Sequence, residues 1–259
     1  MLLPHQRQLI DTLKAAKVIL ATDLDGTFLG GSDQDRENLY SYLAGQTHTA
    51  LIFVTGRDKA HIKTLIEDEG IPRPKLIIAD VGTSVLDGDS FEPVAALEDW
   101  IDGHWPGDAA AQDILKDHDH HLTLQDVFGG RRRSYFISDR GKAYEAKGAV
   151  EAAGYDAIVS DDTYFDVLPR GIQKGPTLLR VIETFGLEHG RVLAAGDTLN
   201  DLSLFNTGLK SVAVGNREPD LDAALPDTPN ILKASAPGAA GILEALTHFD
   251  MHFQLELNP

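Results

Sequence analysis

Cysteine is absent from this 259-residue sequence. The chain therefore cannot form disulfides, use a thiol nucleophile or bind metal through thiolates, so any metal must be held by oxygen or imidazole ligands. Long apolar runs are also missing. The longest are short stretches such as LIFV at 51–54, whereas roughly 20 apolar residues are needed to span a bilayer. Polar and charged side chains interrupt the first 20 residues, which lack the apolar centre of a secretory signal. We expect a cytoplasmic protein with no membrane partner.

Positive charge is also scarce. The sequence has 23 Lys and Arg residues against 40 Asp and Glu, a formal net charge of -17. Such a chain repels nucleic acid and anionic lipid at long range, so a small molecule is the expected partner. An anionic small molecule would meet the same repulsion unless a cation and fixed positive groups stood at its site. The sequence shows no heptad pattern and no long apolar edge that would bind a protein partner, so we expect a monomer or a weak oligomer.

Short, uniformly apolar runs recur along the two ends of the chain, each followed by a turn and a helical pattern. Runs of this kind suit strands that are covered on both faces of a parallel sheet. The runs are VILA at 18–21, LIFV at 51–54, LIIA at 76–79, VLAA at 192–195 and VAV at 212–214. Helices are predicted over 58–69 and 174–185, where apolar residues share one face and a glycine follows. This is a doubly wound α/β pattern, whose ligand site is expected beyond the carboxyl ends of the strands.

The rhythm changes in the middle of the chain. Helices are predicted near 94–102, 108–117 and 141–153, and strands near 122–127, 133–138, 156–160 and 163–168. This pattern predicts an α+β cap inserted into the α/β core. The core would comprise residues 1–84 and 171–259, and the cap residues 85–170.

Four short motifs fall where the predicted strands end or helices begin. They are TDLDGT at 22–27, VTGR at 54–57, QKG at 173–175 and GDTLND at 196–201. Each is common by chance, and a lone Asp-x-Asp is more often a solvated turn or a helix cap. Together they carry more weight, because one parallel sheet would bring all four to the same edge.

The motifs would bring together the carboxylates of Asp23, Asp25, Asp197 and Asp201. Each close pair would repel by up to about 4 kcal/mol at 4 Å with an effective dielectric near 20. A hard divalent cation relieves that repulsion, and Mg²⁺ suits a site with few carboxylates that also binds phosphate. Phosphate oxygens could be held by Lys174, by the Thr55 hydroxyl and by the Gly56 amide.

Asp23 and Asp25 are placed for phosphoryl transfer. With one residue between them, both can face the same phosphate if the strand ends at Asp23. Asp23 is then the nucleophile that forms an aspartyl-phosphate, and Asp25 the general acid and later the general base. Gly26 allows the tight turn, and Thr27 is interpreted as closing its own loop by hydrogen bonding.

The four motifs, in this order, resemble those of the haloacid dehalogenase superfamily of aspartate-nucleophile phosphatases. The inserted unit resembles the C2B cap of the Cof-like and sucrose-phosphatase branch. The resemblance implies that Mg²⁺ is held by the Asp23 carboxylate, the Asp25 carbonyl and Asp197. It also implies that Asp201 lies close to the metal or to the lysine, and that Asn200 supports the phosphate or the lysine.

Other stretches resemble the sucrose-phosphatase group in particular, including VGTSV at 81–85, DVLPRGIQKG at 166–175 and VGNREPDL at 214–221. The resemblance implies a small phosphorylated sugar as substrate, with sucrose 6-phosphate leading. Mannosylfructose phosphate, glucosylglycerol phosphate and hexose phosphates are the alternatives. Three other activities stay open: a phosphomutase of the phosphomannomutase type, a glycosyltransferase whose Asp-x-Asp binds metal, and a binding protein without activity.

Within the cap, Arg133 and Tyr135 are the candidates for contact with substrate, against the alternative of an exposed turn. Trp100 and Trp105 are interpreted as anchors of a helix on the cap sheet, against stacking on a sugar. Three histidines are interpreted as solvated surface, against a transition-metal site: His118, His120 and His121.

Overall fold

The structure is a computed structural model that describes residues 4–68, 70–105, 107–118, 121–126 and 130–252. Within these residues the larger sheet has seven strands, in the spatial order β11, β10, β9, β1, β2, β3, β4. Their bounds are β1 Val18–Thr22, β2 Thr49–Val54, β3 Leu76–Ala79, β4 Ser84–Asp87, β9 Val192–Gly196, β10 Lys210–Ala213 and β11 Ile231–Lys233. Adjacent strands run parallel except for β4, which pairs antiparallel with β3 at one edge.

Helices cover both faces of this sheet, which explains why its central strands are uniformly apolar. Alternate residues of β1 face opposite layers: Leu20 packs in one buried cluster and Ile19 in the other. The first layer contains α2 (Asp33–Gly45), α3 (Lys59–Asp68) and α10 (Gly238–His248). The second contains α1 (Pro4–Ala15), α4 (Ala95–Asp102), α7 (Lys174–Phe185) and α8 (Leu202–Phe205). The predicted doubly wound α/β core is confirmed.

The two helices predicted in the core are present. Helix α7 buries Leu178, Ile182 and Phe185, and it ends at Gly186, whose left-handed φ of 64° allows its N–H to bond back to the last turn. Helix α3 follows the predicted stretch but is assigned over Lys59–Asp68, and Glu69 lies outside the described residues. The short helix α9 (Pro219–Ala224) begins directly after Glu218.

The middle of the chain forms the second unit. Its sheet has the order β5, β6, β8, β7, with antiparallel neighbours throughout. The strands are β5 Leu122–Leu124, β6 Arg133–Ile137, β7 Asp156–Ser160 and β8 Tyr164–Leu168, and the helices are α5 Asp108–Leu115 and α6 Arg140–Ala152. Both helices pack on one face of this sheet through a separate apolar cluster. Residue 127, at the end of the strand predicted near 122–127, lies outside the described residues.

The division into core and cap stays a proposal. Two elements, β4 and α4, bear on where the chain first passes from the core to the cap. Strand β4 is hydrogen-bonded to β3 in the core sheet, although residues 85–87 fall on the cap side of the predicted boundary. Helix α4 buries Leu97 and Ile101 in the core cluster. We therefore propose that the cap begins after Asp102 and not at residue 85.

No helix among the described residues is long and apolar enough to cross a membrane. The cytoplasmic location and the monomeric or weakly oligomeric state stay predictions.

Candidate active site

The four motifs meet at the carboxyl edge of the core sheet, as predicted for a parallel sheet. Asp23 follows β1, Thr55 follows β2, Asp197 follows β9, and Lys174 opens α7. Residues of three of these motifs, those at 22–27, 54–57 and 196–201, line a cavity of about 570 Å³ between the core and the second sheet. The core wall includes Asp23, Asp25, Gly56, Arg57, Thr198 and Asn200. The cap wall consists of Gln125, Arg132, Ser160, Asp161, Tyr164 and Asp166.

Lys174 is fully buried and uses all of its ammonium hydrogens. Its Nζ donates to Oδ1 of Asp23 at 2.7 Å, to Oδ1 of Asn200 at 2.6 Å and to Oδ1 of Asp201 at 2.7 Å. Burial by itself would lower the pKa of Lys174, but the carboxylates of Asp201 and Asp23 raise it above its ordinary value. The lysine is therefore held as a fixed positive charge beside Asp23.

Three carboxylates share this site. Asp23, Asp197 and Asp201 each offer an oxygen within 4.8 Å of the others, and all three are buried. Burial raises the pKa of Asp23 well above its usual range, although Lys174 opposes the rise. Burial also raises the pKa of Asp197 to about 7, and the charge of Asp201 adds to it. Lysine alone does not compensate these carboxylates, so the oxygen donor set fits a hard divalent cation.

Asp201 is already bound on both oxygens. Its Oδ1 accepts from Lys174, while its Oδ2 accepts from the N–H groups of Asp197 at 2.9 Å and Thr198 at 3.1 Å. Asp201 therefore holds both its own loop and the Lys174 ammonium in place. Of the two positions that the resemblance implied for Asp201, the one beside the lysine is the better supported.

Asp197 is oriented by the neighbouring loops. Thr27 donates its hydroxyl to Oδ1 of Asp197 at 2.7 Å, so it binds across two motifs and does not close its own loop. Asn216 donates to the Gly26 carbonyl at 3.0 Å and lies 3.4 Å from Oδ2 of Asp197. Gly26 has a left-handed φ of 76°, and a Cβ built on it would overlap Asp197. Glycine is thus required both by the turn and by the close approach of the carboxylate.

Asp25 lies outside the carboxylate cluster. Its side chain is 61% exposed and is held by a bidentate ion pair, in which Arg57 Nε and Nη2 donate to its two oxygens at 2.8 and 2.7 Å. Its carboxylate therefore faces the cavity and not the predicted metal position. Arg57 was not singled out from the sequence, although it completes the VTGR motif.

The predicted phosphate-binding residues lie around Asp23. Thr55 is buried, and its Oγ1 accepts from the Arg57 N–H at 3.1 Å, so its hydroxyl hydrogen remains able to donate. Gly56 and Asn200 line the cavity. The Asn200 amide oxygen accepts from Lys174, which leaves the Nδ2 hydrogens to donate to a phosphate oxygen.

Arg133 and Tyr135, the predicted cap contacts, point away from the cavity. Arg133 Nε donates to the Tyr135 hydroxyl at 2.9 Å, and Tyr135 packs in the apolar cluster beneath the cap helices. Neither residue lines the cavity among the described residues. Arg132, on the opposite face of the chain, lines it instead and pairs with Asp80 at 3.1 Å and Asp166 at 3.7 Å.

Among the described residues, Trp100, Trp105, His118 and His121 do not line the cavity. Trp100 packs against the core cluster with Arg180 5.6 Å above its ring, so its predicted place on the cap sheet is wrong. Trp105 packs in the cap cluster, as predicted. His120 lies outside the described residues, and neither His118 nor His121 joins a metal-competent group within them.

The chain is similar to several known proteins. The family model described as sucrose-6F-phosphate phosphohydrolase matches residues 16–250. Glucosylglycerol-phosphate synthase of Pseudomonas anguilliseptica is 41% identical over 233 residues, which are 90% of this chain and 31% of that protein. Sucrose-phosphatase 1 of Nicotiana tabacum is 29% identical over 257 residues, which cover 92% of this chain and 60% of that protein. The chain thus spans about a third to three fifths of these relatives.

A solved structure shares the fold. The sucrose-phosphatase of Synechocystis, determined with sucrose and phosphate, matches with a TM-score of 0.80 and 24% identity, over 91% of this chain and 98% of that one. The match extends through both sheets. The resemblance predicted from the four motifs is confirmed by the family model, which covers far more than half of the sequence. The chain belongs to the sucrose-6F-phosphate phosphohydrolase family.

Proposed function

We propose that the chain is a phosphomonoester hydrolase that acts on a glycoside phosphate through an aspartyl-phosphate at Asp23. One observation carries this proposal: the Asp23 carboxylate lies 2.7 Å from the Lys174 ammonium, within the carboxylate cluster, on the wall of a cavity that a second domain covers. A carboxylate in this position can attack phosphorus, and the fixed ammonium can stabilise charge on the transferring group.

In the first step, an Asp23 oxygen bonds to phosphorus while the bond from phosphorus to the ester oxygen breaks. Lys174, Thr55 and Gly56 are proposed to hold the phosphate oxygens in line for this transfer. Asp25 donates a proton to the departing alcohol, which is otherwise a poor leaving group. Because Arg57 holds both Asp25 oxygens, the Asp25 carboxyl must turn away from the guanidinium to reach that oxygen.

In the second step, water attacks the phosphorus of the aspartyl-phosphate. Asp25 takes the proton from this water, the bond between phosphorus and the Asp23 oxygen breaks, and inorganic phosphate leaves. We propose Mg²⁺ as the cation, held by the carboxylates of Asp23 and Asp197 and by the Asp25 carbonyl. Bound there, it would neutralise negative charge on the phosphoryl group.

The cap wall favours a neutral polyhydroxyl alcohol. Its side chains are mostly hydroxyl, amide, phenol and carboxylate groups, which bind sugar hydroxyls by hydrogen bonding. A cavity of about 570 Å³ falls within the range of small-molecule sites. Sucrose 6-phosphate is supported by the family description and glucosylglycerol phosphate by the name of the relative at 41% identity. These are the two leading substrates.

Phosphate release from a panel of esters tests the proposal. The panel contains sucrose 6-phosphate, glucosylglycerol phosphate, mannosylfructose phosphate and hexose phosphates, ranked by kcat/KM with Mg²⁺ and no bisphosphate activator. We expect free phosphate from one of the glycoside phosphates at a clearly higher kcat/KM than from the hexose phosphates. Equal rates on all of them would contradict a dedicated glycoside phosphatase, and transfer to a second hydroxyl without free phosphate would indicate a phosphomutase.

Asp23→Asn tests the nucleophile. We expect turnover to fall by at least about a hundredfold, because a neutral amide cannot form the acyl phosphate and positioned groups supply rate factors of this order. Asp113→Asn, on the exposed side of α5, is the matched control and should keep full activity. Activity of the Asp23 variant within about tenfold of the parent would rule out the nucleophilic role.

A further inference from the structure

The carboxylate of Glu218 joins the core to the cap. Its Oε2 accepts from the backbone N–H of Leu199 at 2.8 Å, and its Oε1 accepts from the backbone N–H of Asp161 at 3.0 Å. Its own N–H donates to the Asp197 carbonyl at 2.8 Å. Leu199 belongs to the core loop 197–201, whereas Asp161 lies on the cap wall of the cavity. One side chain therefore bonds to an amide of each domain.

On the core side, the loop held by Glu218 carries two of the partners of the catalytic lysine. Asn200 directly follows Leu199, and both Asn200 and Asp201 accept from the Lys174 ammonium. A displacement of the Leu199 amide would therefore shift the acceptors that fix Lys174 beside Asp23.

On the cap side, Glu218 meets a strained turn. Asp161 and Asp162 connect β7 to β8 with left-handed φ values of 52° and 46°. Such a conformation is sparsely populated by residues other than glycine and persists where surrounding contacts hold it. Ser160 and Tyr164, which flank this turn, line the cavity. Glu218 thus holds a strained segment of the wall that faces the substrate.

We propose that Glu218 is a positioning residue that couples seating of the cap to the arrangement of Lys174. When the cap is seated, the Asp161 amide completes the bonding of Glu218, and the same carboxylate fixes the Leu199 amide and with it Asn200. A carboxylate suits this task, because its two oxygens accept from two amides and offer no competing donor. The inference rests on the proposed phosphatase function and adds a residue that acts through others.

A second link between the domains provides the matched control. Arg140, on cap helix α6, pairs with Asp162 at 2.8 Å and with Asp220 of the core. Neither bond touches the core loop 197–201. Arg140→Gln should therefore remove this link while both bonds of Glu218 stay in place, whereas Glu218→Ala should disturb the turn and the loop together.

Hydrogen exchange followed by mass spectrometry tests the coupling on the full chain without substrate. In Glu218→Ala we expect faster exchange both in peptides across the β7–β8 turn and in peptides across the core loop 197–201. In Arg140→Gln we expect the increase across the turn alone. An increase confined to the turn in Glu218→Ala would overturn the proposal, because the residue would then be a simple cap contact.

Kinetics on 4-nitrophenyl phosphate, a compact ester, add a second readout. Glu218→Ala should lower kcat by about tenfold or more with KM within about twofold, given what hydrogen bonds to a charged group contribute. Glu218→Gln should recover part of the loss, and Arg140→Gln should keep the parent kcat. An unchanged kcat in Glu218→Ala would contradict the proposal. If the parent chain hydrolyses no ester, the proposed function fails, while the exchange experiment still decides the role of Glu218.

Discussion

Asp80 shows how one residue connects the core to the cap. It follows β3 with a left-handed φ of 54°, and the guanidinium of Arg132 lies 3.1 Å from its carboxylate. Burial raises the pKa of Asp80 from 3.8 to about 6, against the opposing charge of Arg132. The folded protein therefore binds this proton more readily than the unfolded chain. The stability contribution is present below about pH 4 and is lost as pH rises through about 6.

Asp80→Asn removes this titration and keeps a residue that tolerates the left-handed backbone. Between about pH 4 and pH 7 the free energy of unfolding of the parent should fall relative to the variant by up to about 3 kcal/mol. Urea unfolding across this pH range measures the difference. Asp113→Asn, exposed on the surface, should show a flat difference. A flat or opposite trend for Asp80→Asn would contradict the account.

At the same scale, the sequence predicts the core residues of the site better than the cap residues. Asp23, Thr55 and Asp197 converge because each follows a parallel strand, and parallel strands end at one edge of the sheet. A polar motif directly after an apolar run predicts this position from the sequence. Arg132 and Arg133 could not be told apart in this way. Alternation along an extended chain puts the two side chains on opposite faces of the sheet. Only the packing of Tyr135 against the cap helices shows which face the helices cover.

At the scale of elements, close packing at the start of α7 positions Lys174. A Cβ built on Gly175 would overlap the Ser203 carbonyl, so α7 and α8 approach more closely than any larger residue allows. Gly148, in the exposed middle of α6, has no neighbouring atoms within 4 Å of such a Cβ.

The two glycines therefore give opposite predictions for substitution by alanine. Gly175→Ala should lower the free energy of unfolding by about 1–3 kcal/mol through overpacking, and it should lower kcat by moving the adjacent lysine. Gly148→Ala should raise stability by roughly 0.5–1 kcal/mol, because alanine favours the helix. Urea unfolding measures both. A neutral Gly175→Ala with full activity would show that the two helices separate freely.

The positions of β4 and α4 relative to the predicted domain boundary have a physical explanation. Strand β4 pairs antiparallel with β3 at the sheet edge and follows it after a short connection. It therefore lacks the helical crossover that joins parallel neighbours in a sheet. Helix α4 has an apolar face that would suit either unit, and only its burial against the core cluster settles the choice. Periodicity therefore predicted the helix near 94–102 but not the layer that it joins, and it predicted no strand at the position of β4.

At the scale of the whole molecule, net charge opposes the substrate. The chain carries a formal charge of -17, while the proposed substrate is an anion. Lys174 and Arg57 at the site are each paired with carboxylates, so they do not cancel this repulsion while the substrate approaches.

Raising the ionic strength from low to physiological should therefore raise kcat/KM severalfold for a phosphorylated sugar, with kcat at saturation unchanged. Initial rates at fixed free Mg²⁺ in increasing potassium chloride measure this effect. A steady fall of kcat/KM with salt would show instead that the local positive field dominates the approach.

The proposed mechanism requires that Asp23 becomes phosphorylated during turnover. The direct measurement is mass spectrometry of the full chain, quenched in acid within milliseconds of mixing with the best substrate of the panel and then digested. We expect a phosphoryl adduct on Asp23 in the parent and none in Asp23→Asn. Phosphate release without any adduct, or an adduct on another residue, would contradict it.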